Sequence, residues 1–187
     1  MPLFLIGFMG AGKTTLGHAL EARLPGWRYI DLDEEVERRA GMSVADIFST
    51  HGEEHFRQME RRALADLGRT EDSTIIGCGG GTPCFFDNME LMNTLGPTIL
   101  LQASRPRLLR RLIEAQGQRP KLKGMSAGEI GRFIDETLSA RERWYSMATH
   151  TFPSDLLENE EEIESTCRLF INRFISHPRH TEKRHQQ

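Results

Sequence analysis

The sequence predicts an α/β fold in which one five-stranded parallel sheet is covered by helices on both faces. Short apolar runs alternate along the chain with segments in which apolar residues recur every three or four positions, a pattern typical of such sheets. The 187 residues fit one ordinary domain, and neither an internal repeat nor a linker divides them. The apolar runs expected to form the strands are Leu3–Phe8, Trp27–Leu32, Thr74–Cys78, Thr98–Gln102 and Ala148–Phe152.

The segments between these runs predict the helices and the domain bounds. Helical periodicity is found at Thr15–Leu24, His55–Leu67, Arg107–Ala115, Ile130–Met147 and Ile163–Ile175. These elements predict a single domain over residues 1–176, followed by a polar tail at 177–187 that we expect to be disordered. The stretch at 117–125 contains glycine and proline and lies among basic residues, which predicts a mobile lid over a polyanion.

Composition and charge argue against several classes of function. The net charge is −3, from 24 basic and 27 acidic residues, whereas proteins that bind nucleic acid or anionic membranes are usually basic. No run of 18 apolar residues occurs, and the first ten residues read as a strand, not a signal peptide. Cys78, Cys84 and Cys167 lack zinc-site spacing and predict reduced thiols. These features favour a cytoplasmic protein that acts on small molecules, with a monomer as the default.

A phosphate-binding motif follows the first predicted strand. The stretch "GFMGAGKT", Gly7 to Thr14, fits G-x-x-x-x-G-K-[ST]. Its glycines allow N–H groups to point at phosphate oxygens, and the following helix adds the positive end of its dipole. Lys13 is expected to reach the β- and γ-phosphates, and the Thr14 hydroxyl can bind Mg²⁺. The motif predicts a nucleoside triphosphate site formed by Gly10, Ala11, Gly12, Lys13, Thr14 and Thr15.

Two aspartates end the second predicted strand in the stretch "YIDLDEE". If the strand continues beyond Asp31, Asp33 shares a face with it, because alternate strand residues point the same way. Ligands bind at the carboxyl ends of parallel strands, so both carboxylates are expected beside the phosphates. One can hold the water shell of Mg²⁺, and the other can accept a hydrogen bond from an attacking hydroxyl. The alternative is that Asp33 caps the helix that starts at "EEVERRA".

Two further stretches suit an anionic acceptor. "GCGGGTP" follows the third predicted strand, and three consecutive glycines leave backbone N–H groups accessible to a ligand. In "GEEHFRQME", Arg57 and Glu60 lie one helical turn apart. They form either a surface salt bridge worth under about 1 kcal/mol or a pair in which Glu60 orients Arg57 toward an anionic substrate.

The phosphate loop alone does not define the reaction. A GTPase would need the guanine-reading Asn-Lys-x-Asp motif, which the sequence lacks, and a remodelling ATPase normally needs a larger chain. A small kinase fits the length, because it needs only one parallel sheet, a phosphate loop, an acceptor pocket and a lid that carries an arginine. The motifs therefore favour a kinase that acts on a small acceptor.

These motifs, in this order, resemble those of the shikimate kinases, small P-loop kinases of the aromatic amino-acid pathway. The matching stretches, between about residues 3 and 150, are "GFMGAGKTT", "DLDEEVERRAGMSVADIF", "GEEHFRQME", "GCGGGT", "QRPKL" and "ARERWY". The resemblance implies a three-layer P-loop kinase fold with a mobile lid. It also implies ATP-dependent phosphorylation of the 3-hydroxyl of shikimate, with Mg²⁺ as the cofactor.

The resemblance assigns roles to individual residues. Asp31 would hold a magnesium-bound water, and Asp33 would bind the acceptor hydroxyl and accept its proton. Arg119, in the lid, would contact the transferring phosphoryl group together with Lys13. The carboxylate of shikimate would be bound by two guanidinium groups, which match a carboxylate with paired hydrogen bonds. The residues that this implies for the acceptor pocket, in addition to Asp33, are Arg57, Arg141 and the backbone amides of Gly79, Gly80 and Gly81.

Two positions depart from the family pattern. The lid reads "RPKLKG", with Lys121 where the family is often apolar, and "PSDLLENEEE" has no basic residue to contact adenine. Arg111 is then the candidate for stacking on the base. Two alternative functions remain open: another small P-loop kinase, acting on gluconate or a nucleoside monophosphate, and a non-catalytic ATP-binding regulator.

Overall fold

The computed structural model describes residues 1–70 and 72–176, so the predicted tail at 177–187 lies outside the described residues. The strands are β1 Leu3–Ile6, β2 Arg28–Asp31, β3 Thr74–Gly77, β4 Thr98–Gln102 and β5 His150–Pro153. All neighbours are parallel, and the order across the sheet is β2-β3-β1-β4-β5. The predicted five-stranded parallel sheet is confirmed.

Seven α-helices surround the sheet in the described part of the chain. They are α1 Lys13–Glu21, α2 Leu32–Ala40, α3 Val44–Leu67, α4 Asn88–Leu95, α5 Arg105–Glu114, α6 Ala127–Tyr145 and α7 Glu160–Phe174. Short 3₁₀ turns occur at Thr82–Cys84, Gln116–Gln118 and Pro120–Leu122. Helix α4 was not predicted, and α2 was considered only as an alternative for the Asp33 region.

Several predicted bounds were wrong for local reasons. Strand β1 ends at Ile6 and not at Phe8, because Gly7 (φ 145) turns the chain into the following loop. Strand β2 ends at Asp31, where α2 begins immediately. Helix α3 begins 11 residues before the predicted His55, and Gly52 (φ 81, ψ 171) interrupts its helical backbone.

Short polar side chains define the starts of four helices, and Ser43 caps α3 by accepting a hydrogen bond from Asp46 N at 3.1 Å. The Asp31 carboxylate accepts a hydrogen bond from Asp33 N (3.0 Å) and caps α2. Ser126 and Glu129 form a reciprocal capping box at the start of α6. Asn159 caps α7, whose first turn is acidic and therefore suits the positive end of the helix dipole.

Each face of the sheet carries its own core. On β1, Leu3 and Leu5 pack into one cluster while Phe4 and Ile6 pack into the other, as the alternation of strand side chains requires. Helices α1, α5 and α7 cover the first face, α2, α3 and α4 cover the second, and α6 contributes to both. The prediction of helices on both faces is confirmed. Within the described ranges, every helix is too short or too polar to cross a lipid bilayer.

The strand order creates a ligand-binding crevice at one edge of the sheet. The connection that leaves β1 runs to β2 on one side, whereas the connection that leaves β3 crosses to β4 on the other side of β1. Open α/β sheets bind ligands outside the carboxyl ends of their strands at such a change of direction. The residues after β1, β2 and β3 therefore face a common space.

Candidate active site

The phosphate loop turns over the end of β1 and leads directly into α1. Gly10 (φ 78) and Gly12 (φ 93) adopt left-handed backbone conformations that favour glycine. A Cβ on Gly12 would also lie 2.4 Å from Cδ1 of Leu157, so a side chain has no room there. The first N–H groups of a helix have no intrahelical acceptor. The start of α1 therefore offers donors and a positive dipole end to a phosphate.

The Lys13 side chain folds back across this loop. Its Nζ donates to the carbonyl oxygens of Gly7 (2.8 Å) and Phe8 (3.1 Å). Burial lowers the pKa of Lys13 to about 8, while the negative charge of Asp31 acts in the opposite direction. A bound phosphate would add negative charge beside the ammonium and favour its charged form.

A cavity of about 230 Å³ lies between this loop and the ends of β2 and β3. The predicted site residues that it brings together are Gly10, Gly12, Lys13, Thr14, Thr15, Asp31, Asp33, Gly79, Gly80 and Arg119. Four predicted residues do not line it. Ala11 is buried, and its N–H donates to the Phe8 carbonyl oxygen at 3.1 Å. Gly81 is the last residue of the glycine stretch at 79–81, and Arg57 and Arg141 lie beside that stretch.

The two aspartates meet in this cavity, but not by the predicted geometry. They do not share a strand face, because β2 ends at Asp31 and Asp33 lies in the first turn of α2. The capping role also belongs to Asp31 and not to Asp33. The Oδ2 atom of Asp31 accepts from Thr14 Oγ1 (3.3 Å) and Tyr29 Oη (3.2 Å). Asp31 therefore joins the phosphate loop to α2.

Asp33 is a buried carboxylate with a shifted pKa. Its Oδ1 lies 3.0 Å from the position that a Cβ on Gly79 would take, so it faces the glycine stretch directly. Burial raises the pKa of Asp33 to about 6, and the negative charges of Asp31 and Glu60 act in the same direction. Such a carboxylate is ionised at neutral pH but holds a proton more tightly than an ordinary aspartate, which suits a proton acceptor.

The donor set around Thr14 and Asp31 fits a magnesium ion that arrives with a nucleotide. Mg²⁺ is usually held by one or two protein ligands, several waters and the phosphates themselves. No group of three or more His, Cys, Asp or Glu side chains suitable for a metal occurs within residues 1–70 and 72–176. The Thr14 hydroxyl and the Asp31 carboxylate lie 3.3 Å apart beside the phosphate loop. They provide the one or two protein ligands that a nucleotide-bound magnesium ion needs.

Arg57 and Glu60 form a buried pair, which rules out the exposed surface salt bridge that the sequence left open as one alternative. Their exposed fractions are 9% and 0%, and Arg57 Nη1 donates to Glu60 Oε2 at 2.9 Å. The guanidinium carbon of Arg57 also lies 4.1 Å from the ring centroid of Phe85. Arg57 Nη2 lies 2.9 Å from the position of a Cβ on Gly81. The pair therefore holds the guanidinium against the glycine stretch.

Two residues outside the predicted site complete this arrangement. Thr82 Oγ1 donates to Glu60 Oε1, and Asn88 Nδ2 donates to the Thr82 carbonyl oxygen at 2.8 Å. Burial raises the pKa of Glu60 above its ordinary value although Arg57 opposes the change. The sequence marked Glu60 by its position one helical turn after Arg57, but gave no sign of its burial. No comparable signal marked Thr82.

Arg141 reaches the same glycine stretch from α6. Its Nη1 atom donates to the carbonyl oxygen of Gly80 at 2.7 Å, across 61 residues of sequence. Tyr145, one helical turn further on, donates to the same oxygen. Arg57 and Arg141 thus contact adjacent glycines, although they come from different helices.

The predicted lid packs against the domain and directs an arginine into the cavity. Leu122 is fully buried in the first core cluster, whereas the unusual Lys121 is exposed and does not disturb that packing. Gln116 Nε2 donates to the carbonyl oxygens of Leu122 (2.8 Å) and Met125 (2.7 Å). The buried Nε of Arg119 has no hydrogen-bond partner among the described residues, and burial lowers the pKa of this guanidinium. An anion in the cavity would satisfy it.

Arg111, the candidate for stacking on a base, lies over the outer side of the phosphate loop. Nη1 donates to the Gly10 carbonyl oxygen (3.1 Å), and Nη2 donates to those of Ser154 (3.1 Å) and Asp155 (2.8 Å). A second cavity, of about 320 Å³, lies here between Arg111, Gly12 and Leu157. The guanidinium is already hydrogen-bonded along its edge, so its remaining contribution to a nucleotide is its flat face.

The family of the chain follows from comparison with known proteins. A family model described as shikimate kinase matches residues 9–171. The chain belongs to the shikimate kinase family. Membership identifies an enzyme, a kinase that uses ATP, and agrees with the motifs from which the sequence predicted this family.

Shikimate kinases of known sequence or structure cover nearly the whole chain. That of Phocaeicola vulgatus is 46% identical over 164 residues, which span 88% of this chain and 93% of the relative. The crystal structure from Bacteroides thetaiotaomicron is 40% identical, has a TM-score of 0.86 and covers 92% of this chain and 97% of that one. A shikimate kinase from Acinetobacter baumannii in complex with shikimate is 26% identical, with a TM-score of 0.76 and 91% coverage of each chain. The predicted P-loop kinase fold is confirmed.

Proposed function

We propose that the protein transfers the γ-phosphoryl group of ATP to the 3-hydroxyl of shikimate, giving shikimate 3-phosphate and ADP. One observation carries the proposal. Lys13, Asp33 and Arg119 line a single cavity, and two arginines reach the glycine stretch at its side. A phosphate-loop lysine, a perturbed carboxylate and a lid arginine are the groups that phosphoryl transfer to an alcohol requires. Family membership supplies the acceptor.

ATP binds to the phosphate loop from Gly10 to Thr15. The N–H groups at the start of α1 and the Lys13 ammonium contact the phosphates, and Arg119 approaches the γ-phosphoryl group from the lid. Thr14 and Asp31 would hold Mg²⁺, Thr14 directly and Asp31 through a water, and the ion would compensate phosphate charge. The Nε of Arg119 supports this assignment, because it is a buried donor without an acceptor in the part of the chain that the structure describes.

The acceptor binds between Asp33 and the two arginines. Arg57 and Arg141 bind its carboxylate, and the backbone amides of Gly79, Gly80 and Gly81 line the pocket. The 3-hydroxyl donates a hydrogen bond to Asp33, which accepts the proton as the oxygen attacks phosphorus. Because the pKa of Asp33 is about 6, the carboxylate is available as an acceptor at neutral pH.

Catalysis on this view consists of positioning and charge compensation. Arg119 and Lys13 stabilise the negative charge that spreads over the phosphoryl oxygens in the transition state. Closure of the lid over residues 117–125 excludes water and limits hydrolysis of ATP. The burial of Leu122 in the core is consistent with a lid that adopts a defined closed position.

The remaining expectations from sequence are part of the same proposal. The protein acts in the cytoplasm as a monomer, and it binds neither nucleic acid nor membrane. The net charge of −3 supports the absence of nucleic-acid binding, because a nucleic-acid-binding domain of this size is usually basic. Cys78 and Cys167 are buried free thiols, which agrees with a reducing compartment.

The test is the rate of ADP release from Mg·ATP with a panel of acceptors: shikimate, quinate, gluconate, AMP, CMP and none. The expected result is a large rate with shikimate and only background with the other acceptors. Activity on gluconate or a nucleotide alone would contradict the roles of Arg57 and Arg141 and favour another small P-loop kinase. Binding of ATP without turnover on any acceptor would favour the non-catalytic regulator.

A further inference from the structure

Tyr145 contacts the same backbone oxygen as Arg141, where the end of α6 meets the glycine stretch. Its Oη donates to the Gly80 carbonyl oxygen at 2.8 Å, and Arg141 Nη1 donates to that oxygen at 2.7 Å. Tyr145 is only 6% exposed, and 65 residues separate it from Gly80 in the sequence. The two donors therefore join the last turn of α6 to the middle glycine of the triple.

We propose that Tyr145 is a positioning residue for the carboxylate of the acceptor, and that it acts through Arg141 and Gly80. This inference rests on the proposed function, in which Arg141 binds that carboxylate. Tyr145 itself contacts neither substrate. It holds the guanidinium and the glycine carbonyl in one arrangement before the acceptor arrives.

The orientation of the Arg141 guanidinium supports this role. Within the described residues, the hydrogen bonds of Arg141 are made by Nη1 alone, to Gly80 O and, at 3.5 Å, to the hydroxyl of Tyr145. Nε and Nη2 remain for a ligand. These two nitrogens donate in parallel along one edge of the guanidinium, which is the geometry that a carboxylate accepts in a two-point contact. Anchoring Nη1 fixes the direction of that edge.

The electrostatics of the Gly80 carbonyl point to the same role. A carbonyl oxygen carries two lone pairs. Without hydrogen-bond donors, this oxygen would repel the carboxylate of a bound substrate nearby. Here two donors, Tyr145 and Arg141, satisfy it. Burial raises the pKa of the Tyr145 phenol, so the hydroxyl remains protonated and able to donate over the neutral pH range.

The experiment is Tyr145→Phe, which keeps the buried ring and removes only the hydroxyl. Loss of one such hydrogen bond is expected to raise KM for shikimate about threefold to tenfold. We expect kcat and KM for ATP to change less than about twofold, because the lost contact stabilises bound shikimate equally in the ground state and in the transition state. The control is Thr94→Val, which removes an exposed hydroxyl that donates to the Glu90 carbonyl oxygen within helix α4, away from the site. We expect this control to leave KM for shikimate within about twofold of the wild-type value.

A double-mutant cycle separates positioning from a structural role. If Tyr145 acts through Arg141, Tyr145→Phe introduced into an Arg141→Met background should change kcat/KM for shikimate less than about twofold. A full effect in that background would overturn the proposal. A fall in kcat with an unchanged KM would also overturn it, and so would an unchanged KM in the single variant.

Two further measurements keep the outcomes distinct. Failure of the unaltered protein to phosphorylate shikimate would contradict the proposed function itself, whereas normal turnover with an unaffected Tyr145→Phe variant would contradict only the positioning role.

If the variant does not fold, [ζ-¹³C]tyrosine NMR of the unaltered protein replaces it. The Tyr145 signal is expected to move when shikimate is added and not when ADP is added. An unmoved signal at saturating shikimate would overturn the proposal.

Discussion

The two halves of the site face one cavity but are built in different ways. The phosphate half is built mainly on one continuous stretch, Gly7 to Thr15, whose donors are N–H groups at the start of a helix and one lysine held by the loop's own carbonyl oxygens. Arg119 is added to it from the lid. The acceptor half is assembled from α2, α3, α6 and the turn after β3. Its contacts join residues 22 to 65 positions apart, such as Glu60 with Thr82 and Tyr145 with Gly80.

The difference lies in how each half tolerates burial of charge. Backbone donors carry no ionisable group, so in the loop itself burial acts on Lys13 alone, whose pKa it lowers to about 8 and whose charged form a bound phosphate would favour. The acceptor half buries ionisable side chains, and burial raises the pKa of both Asp33 and Glu60. Such groups are costly to bury unless they are paired. We therefore expect substitutions in the acceptor half to change stability as well as activity.

The largest expected effect is that of Asp33→Asn, which should separate the two halves kinetically. Removing the proposed proton acceptor is expected to lower kcat about 10²- to 10⁴-fold, while the Kd for ATP changes less than about twofold. Steady-state kinetics and calorimetric titration with ATP measure the two quantities. Asp72→Asn, at an exposed residue paired with Arg28, is the control. Wild-type activity in the variant would exclude Asp33 from the chemistry.

The pH dependence of wild-type turnover provides an independent check of Asp33. The carboxyl group accepts a proton only when it is ionised, and its pKa is about 6. The kcat/KM for shikimate should therefore fall as the pH is lowered through about 6. A kcat/KM for shikimate that stays constant from neutral pH down to pH 5, measured where the protein stays folded, would contradict the assignment.

Glu60→Ala should break the buried pair and affect the acceptor half alone. Arg57 would lose its buried partner, and we expect the free energy of unfolding to fall by about 3 kcal/mol. KM for shikimate should rise while KM for ATP stays near the wild-type value. Urea denaturation and steady-state kinetics measure these changes. Glu60→Gln also removes the charge but keeps an acceptor for Thr82. A loss as large as that of Glu60→Ala would assign the effect to the charge, whereas wild-type stability in Glu60→Gln would contradict the role of charge.

Asp33→Asn should also stabilise the protein at high pH. Because the folded-state pKa is raised from 3.8 to about 6, the folded protein binds this proton more tightly than the unfolded chain. Stability is therefore lost as the pH rises through this window, and the loss persists above it. We expect the variant to be more stable than wild type by about 3 kcal/mol at pH 8. Urea denaturation at pH 8 and at pH 4 measures the difference, which should be present at pH 8 and nearly absent at pH 4.

The smallest expected effect is that of Glu164→Ala, an exposed counterpart of the Glu60 substitution. Glu164 lies 2.7 Å from Arg23, but their side chains are 57% and 35% exposed. Exposed pairs contribute little, so the free energy of unfolding should change by less than about 1 kcal/mol, with unchanged kinetics. A loss as large as that of Glu60→Ala would remove the distinction between buried and exposed pairs in this protein.

The errors of sequence reasoning have both local and tertiary causes. Asp31 and Asp33 were expected to meet because they share a strand face, but they meet because Asp31 caps the helix that carries Asp33. Helix α4 was missed because its eight residues are too few to show clear periodicity, although Met89 and Met92 are fully buried. Thr82 and Tyr145 carried no local signal, since each depends on a partner far away in the chain.

The sequence by itself determined the phosphate loop, the number of strands and the family. These depend on local order: which residues follow one another in a glycine-rich turn, and how apolar residues alternate along a strand or helix. Only the tertiary structure decided that Glu60 is fully buried, that Asp33 has a raised pKa and that Tyr145 shares an oxygen with Arg141. The physical reason is that burial and pKa depend on every element packed around a group, and most of those elements are distant in sequence.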